Sequence, residues 1–212
     1  MTANEILQLQ KSGTTRTITA NKVIHITDAS IKYVYILQKG LIKISNISDN
    51  GTEIIKYIVK PGNVFGELNL LDNETDRHEI AVAMENVELC YIPAEEVKAM
   101  MESNKALQRS INQLISNRIN KMEQRMFALM LKDVKQRIFD FLKEFVSEFG
   151  YPVTGGYQAR NFLTHEDIAK ITTTSRQTVT SSLSHFKKLG WIDYNTRHLS
   201  VYNFNLQSKQ QT

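Results

Sequence analysis

With 212 residues, 42% of them hydrophobic, the chain can form one large domain or two small ones, and no run approaches the roughly eighteen consecutive apolar residues of a membrane span. Cys90 is the only cysteine, which excludes an internal disulfide and any four-cysteine iron–sulfur or zinc site built from one chain. The net charge of +4 is modest, but Arg160 to the end carries seven Lys/Arg against three Asp/Glu, whereas residues 1–132 carry sixteen against fifteen. Any nucleic-acid affinity is therefore expected at the C-terminal end. The opening MTANEILQLQKSG has neither a charged n-region nor an apolar h-region, so an unexported, cytoplasmic protein with no membrane partner is expected, as the single cysteine also suggests.

From Thr17 to about Pro93, short β-rich runs alternate with turn signals at intervals of roughly ten residues, the pattern of a barrel or sandwich rather than a parallel sheet. The runs are Lys32–Leu37, Leu41–Ile47, Glu53–Val59, Ile80–Met84 and Val87–Ile92. Asp49-Asn50-Gly51 predicts a tight hairpin, because Asn-Gly tolerates the positive φ of a primed turn, and Pro61-Gly62 marks the next corner.

At Pro93 the period changes. Ala94-Glu95-Glu96-Val97 opens a helix, and from Asn104 to about Leu131 neither Gly nor Pro interrupts a run of good helix formers. Ile115, Ile119, Met122, Met126 and Leu129 recur at alternating four- and three-residue steps, the seam of a coiled coil. Leu107, Ile111 and Leu114 form a neighbouring stripe. The seam is expected to face a partner chain and the stripe the β region, with Arg118, Lys121 and Arg125 keeping the surface between them wet. A long helix buried within one chain is the alternative.

A hinge is expected at Lys132-Asp133, then a helix over Val134 to Phe149 with Val134, Ile138, Phe141, Leu142 and Phe145 on its apolar face. Gly150-Tyr151-Pro152 ends it, Gly155-Gly156-Tyr157 sits in a turn or short hairpin, and the tail Gln207 to Thr212 is expected to be disordered. Thr164-His165-Glu166-Asp167 is a capping box that starts a two-turn helix, ended by Thr172-Thr173-Thr174-Ser175. The next helix, Ser175 to Leu189, has Val179, Leu183, Phe186 and Leu189 on its buried stripe and Gln177, Thr180, Ser181 and Ser184 on the opposite face. That face offers hydrogen-bonding groups and no acid. Arg176 stands at its margin, long enough to reach a base edge, and Lys187 and Lys188 follow where phosphates would lie. Trp191–Tyr194 and His198–Tyr202 flank Asn195-Thr196-Arg197 as a short hairpin, a wing.

Together Phe65-Gly66-Glu67-Leu68, the following Arg77, the long helix and Thr174-Ser175-Arg176-Gln177-Thr178-Val179 resemble the family of the cyclic AMP receptor protein and its fumarate–nitrate regulator relatives, over about Ile18 to Tyr202. The resemblance implies an α+β chain in three parts. These are a β-roll (jelly-roll, cyclic-nucleotide-binding-like) effector-sensing domain over 1–103, a dimerisation helix over 104–132 and a winged helix-turn-helix over 133–212. It also implies a non-enzymatic, homodimeric transcription regulator with its second helix in the major groove of an inverted-repeat operator, and RNA polymerase as a further partner. The DNA-binding candidates are Thr164, His165, Thr174, Ser175, Arg176, Gln177, Thr180, Ser181, Lys187, Lys188 and Arg197. The family often has glycine where Thr173 stands, so a positive φ there would cost about 1 kcal/mol or the turn must differ.

In the same resemblance Gly66, Glu67, Leu68 and Arg77 form a phosphate-binding cassette. Backbone N–H groups and an arginine fork hold a cyclic phosphate, and Glu67 accepts from a ribose hydroxyl. A direct Glu67–Arg77 pair is the alternative. Several residues argue against cyclic AMP. His78 stands where nucleotide binders have a small hydroxyl residue, and Glu79 would repel a phosphate if it pointed inward. Met122 and Glu123 occupy the helix positions that should meet an adenine. The expected effector is therefore a nucleotide-like or other anionic molecule bound by Gly66, Glu67, Leu68, Arg77, His78, Met122 and Glu123, or the chain needs none. No metal site is expected: an iron–sulfur sensor lacks its cysteines, and a cupin-type metalloenzyme with a DNA-binding tail needs more clustered ligands than His25 and His78.

Overall fold

In the computed structural model, which describes residues 1–25, 32–71 and 79–202, the β region forms two four-stranded antiparallel sheets. One runs β1 (Thr14–Ile18), β8 (Val87–Pro93), β3 (Tyr33–Lys39), β6 (Val64–Phe65); the other runs β2 (Val23–His25), β7 (Glu79–Ala83), β4 (Ile42–Ile47), β5 (Glu53–Val59). The two-residue period of a strand explains why β3 reads as a continuous apolar run. Tyr35 and Leu37 enter the core of the roll with Ile42, Ile44, Phe65, Ala81 and Leu89, while Val34 and Ile36 point the other way. Both faces of that strand are buried, so the usual polar alternation is absent.

The second face of the β1-β8-β3-β6 sheet is covered by helices. Leu9 of α1 (Ala3–Lys11), Val97 of α2 (Ala94–Ser103) and Leu107 and Ile111 of α3 (Lys105–Leu131) pack on Val34, Ile36, Cys90 and Ile92. The stripe expected to meet the β region does so. Leu114 of that stripe and the adjacent Ile115 are half-buried against the same cluster, so Ile115 of the expected seam already serves the core of its own chain. α1 was not foreseen. Its Thr2–Glu5 capping box starts it, and the Glu5 carboxylate accepts from Ser110 of α3 at 2.9 Å.

The chain divides into two compact units, Met1–Gln124 and Arg125–Thr212. The second holds α4 (Val134–Phe149), α5 (His165–Thr172), α6 (Arg176–Lys188) and a sheet ordered β11 (Ile192–Tyr194), β12 (His198–Tyr202), β10 (Gly156–Arg160), β9 (Gly150–Val153). Asp133 caps α4 by accepting from the Gln136 N–H. Ile138, Phe139, Leu142, Phe145 and Val146 are buried; Phe139 lies 5.2 Å from both Phe186 of α6 and Trp191. Val179, Leu183 and Phe186 are buried as expected, but Leu189 is 48% exposed. It is the C-cap of α6, where the chain turns away at Gly190, so periodicity no longer governs it. The tail from 203 onward lies outside the described residues. Among those described, no helix is long and apolar enough to cross a membrane.

Candidate nucleic-acid interface and effector pocket

The turn Phe65-Gly66-Glu67-Leu68 leaves β6 through a left-handed residue. Gly66 has φ 76°, and a Cβ there would stand 2.9 Å from the Tyr33 carbonyl, so only glycine fits. The single 3-10 turn Glu67–Leu70 follows and carries Glu67 into the roll, where it is 1% exposed. Asn69 anchors the turn by donating to Tyr33 O at 2.8 Å.

A buried carboxylate needs a partner, and it comes from the long helix. Arg118 Nε lies 2.6 Å from Glu67 Oε1, its Nη2 donates to Val64 O at 3.0 Å, and its guanidinium lies 3.6 Å over the Tyr57 ring. The surface between the two helix stripes is therefore only partly wet at this position. The guanidinium is drawn inward because desolvating Glu67 alone would cost several kcal/mol. The ion pair is not an aligned hydrogen bond, and among the described residues Arg118 Nε and Glu67 Oε2 are buried without hydrogen-bond partners, as is the Tyr91 hydroxyl. Burial pushes the Tyr57 hydroxyl well above its ordinary range; the Glu67 charge adds to that and Arg118 opposes it. Burial likewise pushes Tyr35 up to about 12.

Glu79, expected as a repulsive charge, is 5% exposed and receives a hydrogen bond from Lys56 Nζ at 2.6 Å. That pairing offsets its charge. Met122 and Glu123 are exposed, Met122 by 61%, and the helix side chain that reaches Glu67 is Arg118, one turn earlier. Arg77 and His78 lie outside the described residues, as does any contact they make. Gly66, Glu67 and Leu68 do come together in one turn, and Glu67 Oε2 is a buried acceptor suited to a ligand hydroxyl. Among the described residues no cluster of three or more His, Cys, Asp and Glu side chains could hold a metal ion.

In the second unit Thr164 caps α5: its hydroxyl accepts from the Asp167 N–H at 3.0 Å and the Asp167 carboxylate accepts from the Thr164 N–H at 3.0 Å. Thr173 follows α5 with φ 53°, so the turn takes the left-handed form although a β-branched residue stands there. Ser175 then caps α6, accepting from the Thr178 N–H at 3.1 Å. Arg176, Gln177, Thr180, Ser181 and Ser184 are exposed along α6. The hydroxyls of Thr180, Ser181 and Ser184 donate back to carbonyls of their own helix, which leaves acceptor capacity on the exposed Ser181 and Ser184 oxygens. His165 Nδ1 lies 2.8 Å from Thr180 Oγ1 and joins the start of α5 to this face.

The two lysines at the end of α6 differ. Lys188 is exposed, whereas Lys187 reaches Asp193 at 2.7 Å and donates to Tyr194 O at 3.3 Å, bracing the wing. Arg197 is exposed at the tip of the β11–β12 hairpin, whose turn is closed by Asn195 Oδ1 accepting from the Arg197 and His198 N–H groups. Asn161 steadies it by donating to Asn195 O at 2.7 Å.

Residues 15–104 match the family model described as a cyclic nucleotide-binding domain, and residues 136–205 match the Crp-like helix-turn-helix domain. A global nitrogen regulator of Nostoc sp. is 31% identical over 92% of this chain and 88% of its own length. The chain belongs to the Crp/Fnr family of transcription regulators. This regulator is also 25% identical to a CRP-like cAMP-activated global transcriptional regulator of Mycobacterium tuberculosis, over 75% of this chain and 70% of that one. Its fold matches a CooA mutant from Carboxydothermus hydrogenoformans at a TM-score of 0.78 and 20% identity, over 92% of this chain and 86% of that one. The β-rich N-terminal domain, long helix and helix-turn-helix inferred from the sequence are those of this family, and its curated relatives are transcription regulators.

Arg118 is the residue at the Glu67 turn that sequence reasoning does not place there. The signal was present: Leu107, Ile111 and Leu114 follow one another at steps of four and three residues, and the next step of four on the stripe facing the roll is Arg118. Lys187 is the converse, a basic residue on the expected surface that the wing engages.

Proposed function

We propose that this regulator binds an inverted-repeat operator as a parallel homodimer, with α6 in the major groove and Arg197 of the wing on the backbone. The exposed face of α6 carries this reading. Arg176 and Gln177 stand in its first turn beside Thr180 and Ser181, with no acid on the helix. Arginine matches guanine O6 and N7 bidentately, and Thr164, His165, Thr174 and Ser175 lie where the first helix and the turn cross the phosphates. The dimer is supported by Ile119, Met122, Met126 and Leu129, exposed by 53, 61, 47 and 49% on one stripe of α3. RNA polymerase is a further partner by family resemblance. Selection of binding sites from a random duplex pool tests the reading: a two-fold symmetric motif supports it, and recovery of no motif overturns it.

For the β-roll we infer that it takes an anionic, nucleotide-like or carboxylate effector at Gly66-Glu67-Leu68, with Arg77 and His78, which lie outside the described residues, and Met122 and Glu123 as further candidate contacts. Glu67 Oε2, a buried acceptor without a hydrogen-bond partner among the described residues, supports a ligand that donates a hydrogen bond. The Arg118–Glu67 pair favours a second reading, an effector-independent regulator whose own arginine closes the pocket. Calorimetric titration with cyclic AMP and cyclic GMP separates the two. Micromolar binding that raises DNA affinity would exclude the closed pocket and overturn the case against cyclic AMP.

A further inference from the structure

One side chain touches both the end of the long helix and the turn before α6. Arg137, in the first turn of α4, spreads its guanidinium over three carbonyls: Nη1 donates to Lys132 O at 3.1 Å, Nε to Thr172 O and Nη2 to Thr173 O, both at 3.4 Å. Lys132 directly follows α3, Thr172 is the last residue of α5, and Thr173 is its C-cap. The final carbonyls of a helix have no partner within it and carry partial negative charge, so a cation shared by two such ends is favoured at both. In its own helix the same cation stands at the N-terminal turn, where the dipole disfavours it. Its placement is explained by what it holds, and only a guanidinium fork holds three acceptors from two directions.

What it holds is strained. Thr173 is β-branched and left-handed, and Thr174 N–H donates to Ala169 O to close the turn. Ser175, the N-cap that sets where α6 begins, comes two residues after Thr173. We infer that Arg137 is a positioning residue for DNA reading: it keeps this strained turn in register with the end of α3, and so fixes the angle at which α6 presents Arg176 and Gln177. A shift at the end of α3 then reaches the DNA-reading helix through one guanidinium. This inference rests on the DNA reading above.

The test measures, for the full chain, Kd for the duplex recovered by selection and Kd for a random-sequence duplex of equal length. Arg137→Gln is expected to weaken the selected duplex about tenfold, equivalent to about 1.4 kcal/mol, and the random duplex less than about twofold. Adding Thr173→Gly, which relieves the strain, is expected to restore at least half of that loss on the logarithmic scale. A merely structural role would lower the active fraction of protein and leave the ratio of the two Kd values unchanged. That result overturns the inference, as does failure of Thr173→Gly to rescue. If Arg137→Gln does not fold, Arg137→Lys, which keeps the charge without the fork, takes its place with the same expectations. Equal affinity of the wild type for both duplexes would overturn the DNA reading itself, and this inference with it.

Discussion

Arg118 of the long helix and Glu67 of the β-roll meet at 2.6 Å, with the carboxylate 2% and the guanidinium 23% exposed. The first unit thus ties its helix to the turn that resembles an effector site through a charged contact.

Removing one partner should expose that dependence. Arg118→Met is expected to destabilise the first unit by about 2–3 kcal/mol, less than a fully buried pair would lose because the arginine is partly hydrated. Glu67→Gln, which removes the charge but keeps the shape, should cost less. An unchanged denaturant midpoint for Arg118→Met would show the pair to be dispensable.

The exposed stripe of α3 should be quiet in the fold of a single chain and decisive for assembly. Ile119→Glu combined with Met126→Glu is expected to give monomers that lose operator binding, because two half-sites about 34 Å apart need two α6 helices. Sedimentation velocity checks it, and a double variant sedimenting as the wild type refutes the seam.

Arg176→Ala is expected to relax specificity at one base pair in each half-site, at a cost of about 1–3 kcal/mol for each. Lys188→Ala should instead weaken all sequences alike and flatten the salt dependence by about one unit of slope. Selection with Arg176→Ala that returns the wild-type motif would rule out the base contact.

Asp140 predicts an acid limb in stability. Burial pushes its carboxyl up, but hydrogen bonds and charge from Lys132 and Lys143 outweigh that and hold it below its ordinary 3.8. A carboxyl depressed in the folded state contributes stability that is present above its unfolded value and lost as pH falls through the folded one. Denaturant midpoints should therefore drop below about pH 4, with a shallower drop in Asp140→Asn. Equal slopes for the two proteins would remove Asp140 from the account.

The buried hydroxyl of Ser182, 1% exposed and without a hydrogen-bond partner among the described residues, predicts the opposite sign from most core changes. Ser182→Ala should be neutral or stabilise by up to about 1 kcal/mol, because it removes a desolvated group that bonds nothing. A loss above about 1 kcal/mol in thermal or denaturant unfolding would contradict it.

The order of the parts and the faces of the helices were legible in the linear chain. Periodicity is a local property, so Leu107 and Ile111 were legible as a buried stripe, and Val179, Leu183 and Phe186 as the inner face of α6. Thr164 and Asp167 declared a helix start because a capping box closes within four residues. What needed tertiary structure was every partner distant in the chain. Glu67 with Arg118, Glu79 with Lys56 and Lys187 with Asp193 are charges whose roles follow from what stands opposite, and charge alone carries no address. The same holds for Thr173. Its cost could be anticipated from a β-branched residue in a left-handed turn, but the three carbonyls gathered by Arg137 exist only once α3, α4 and α5 have packed.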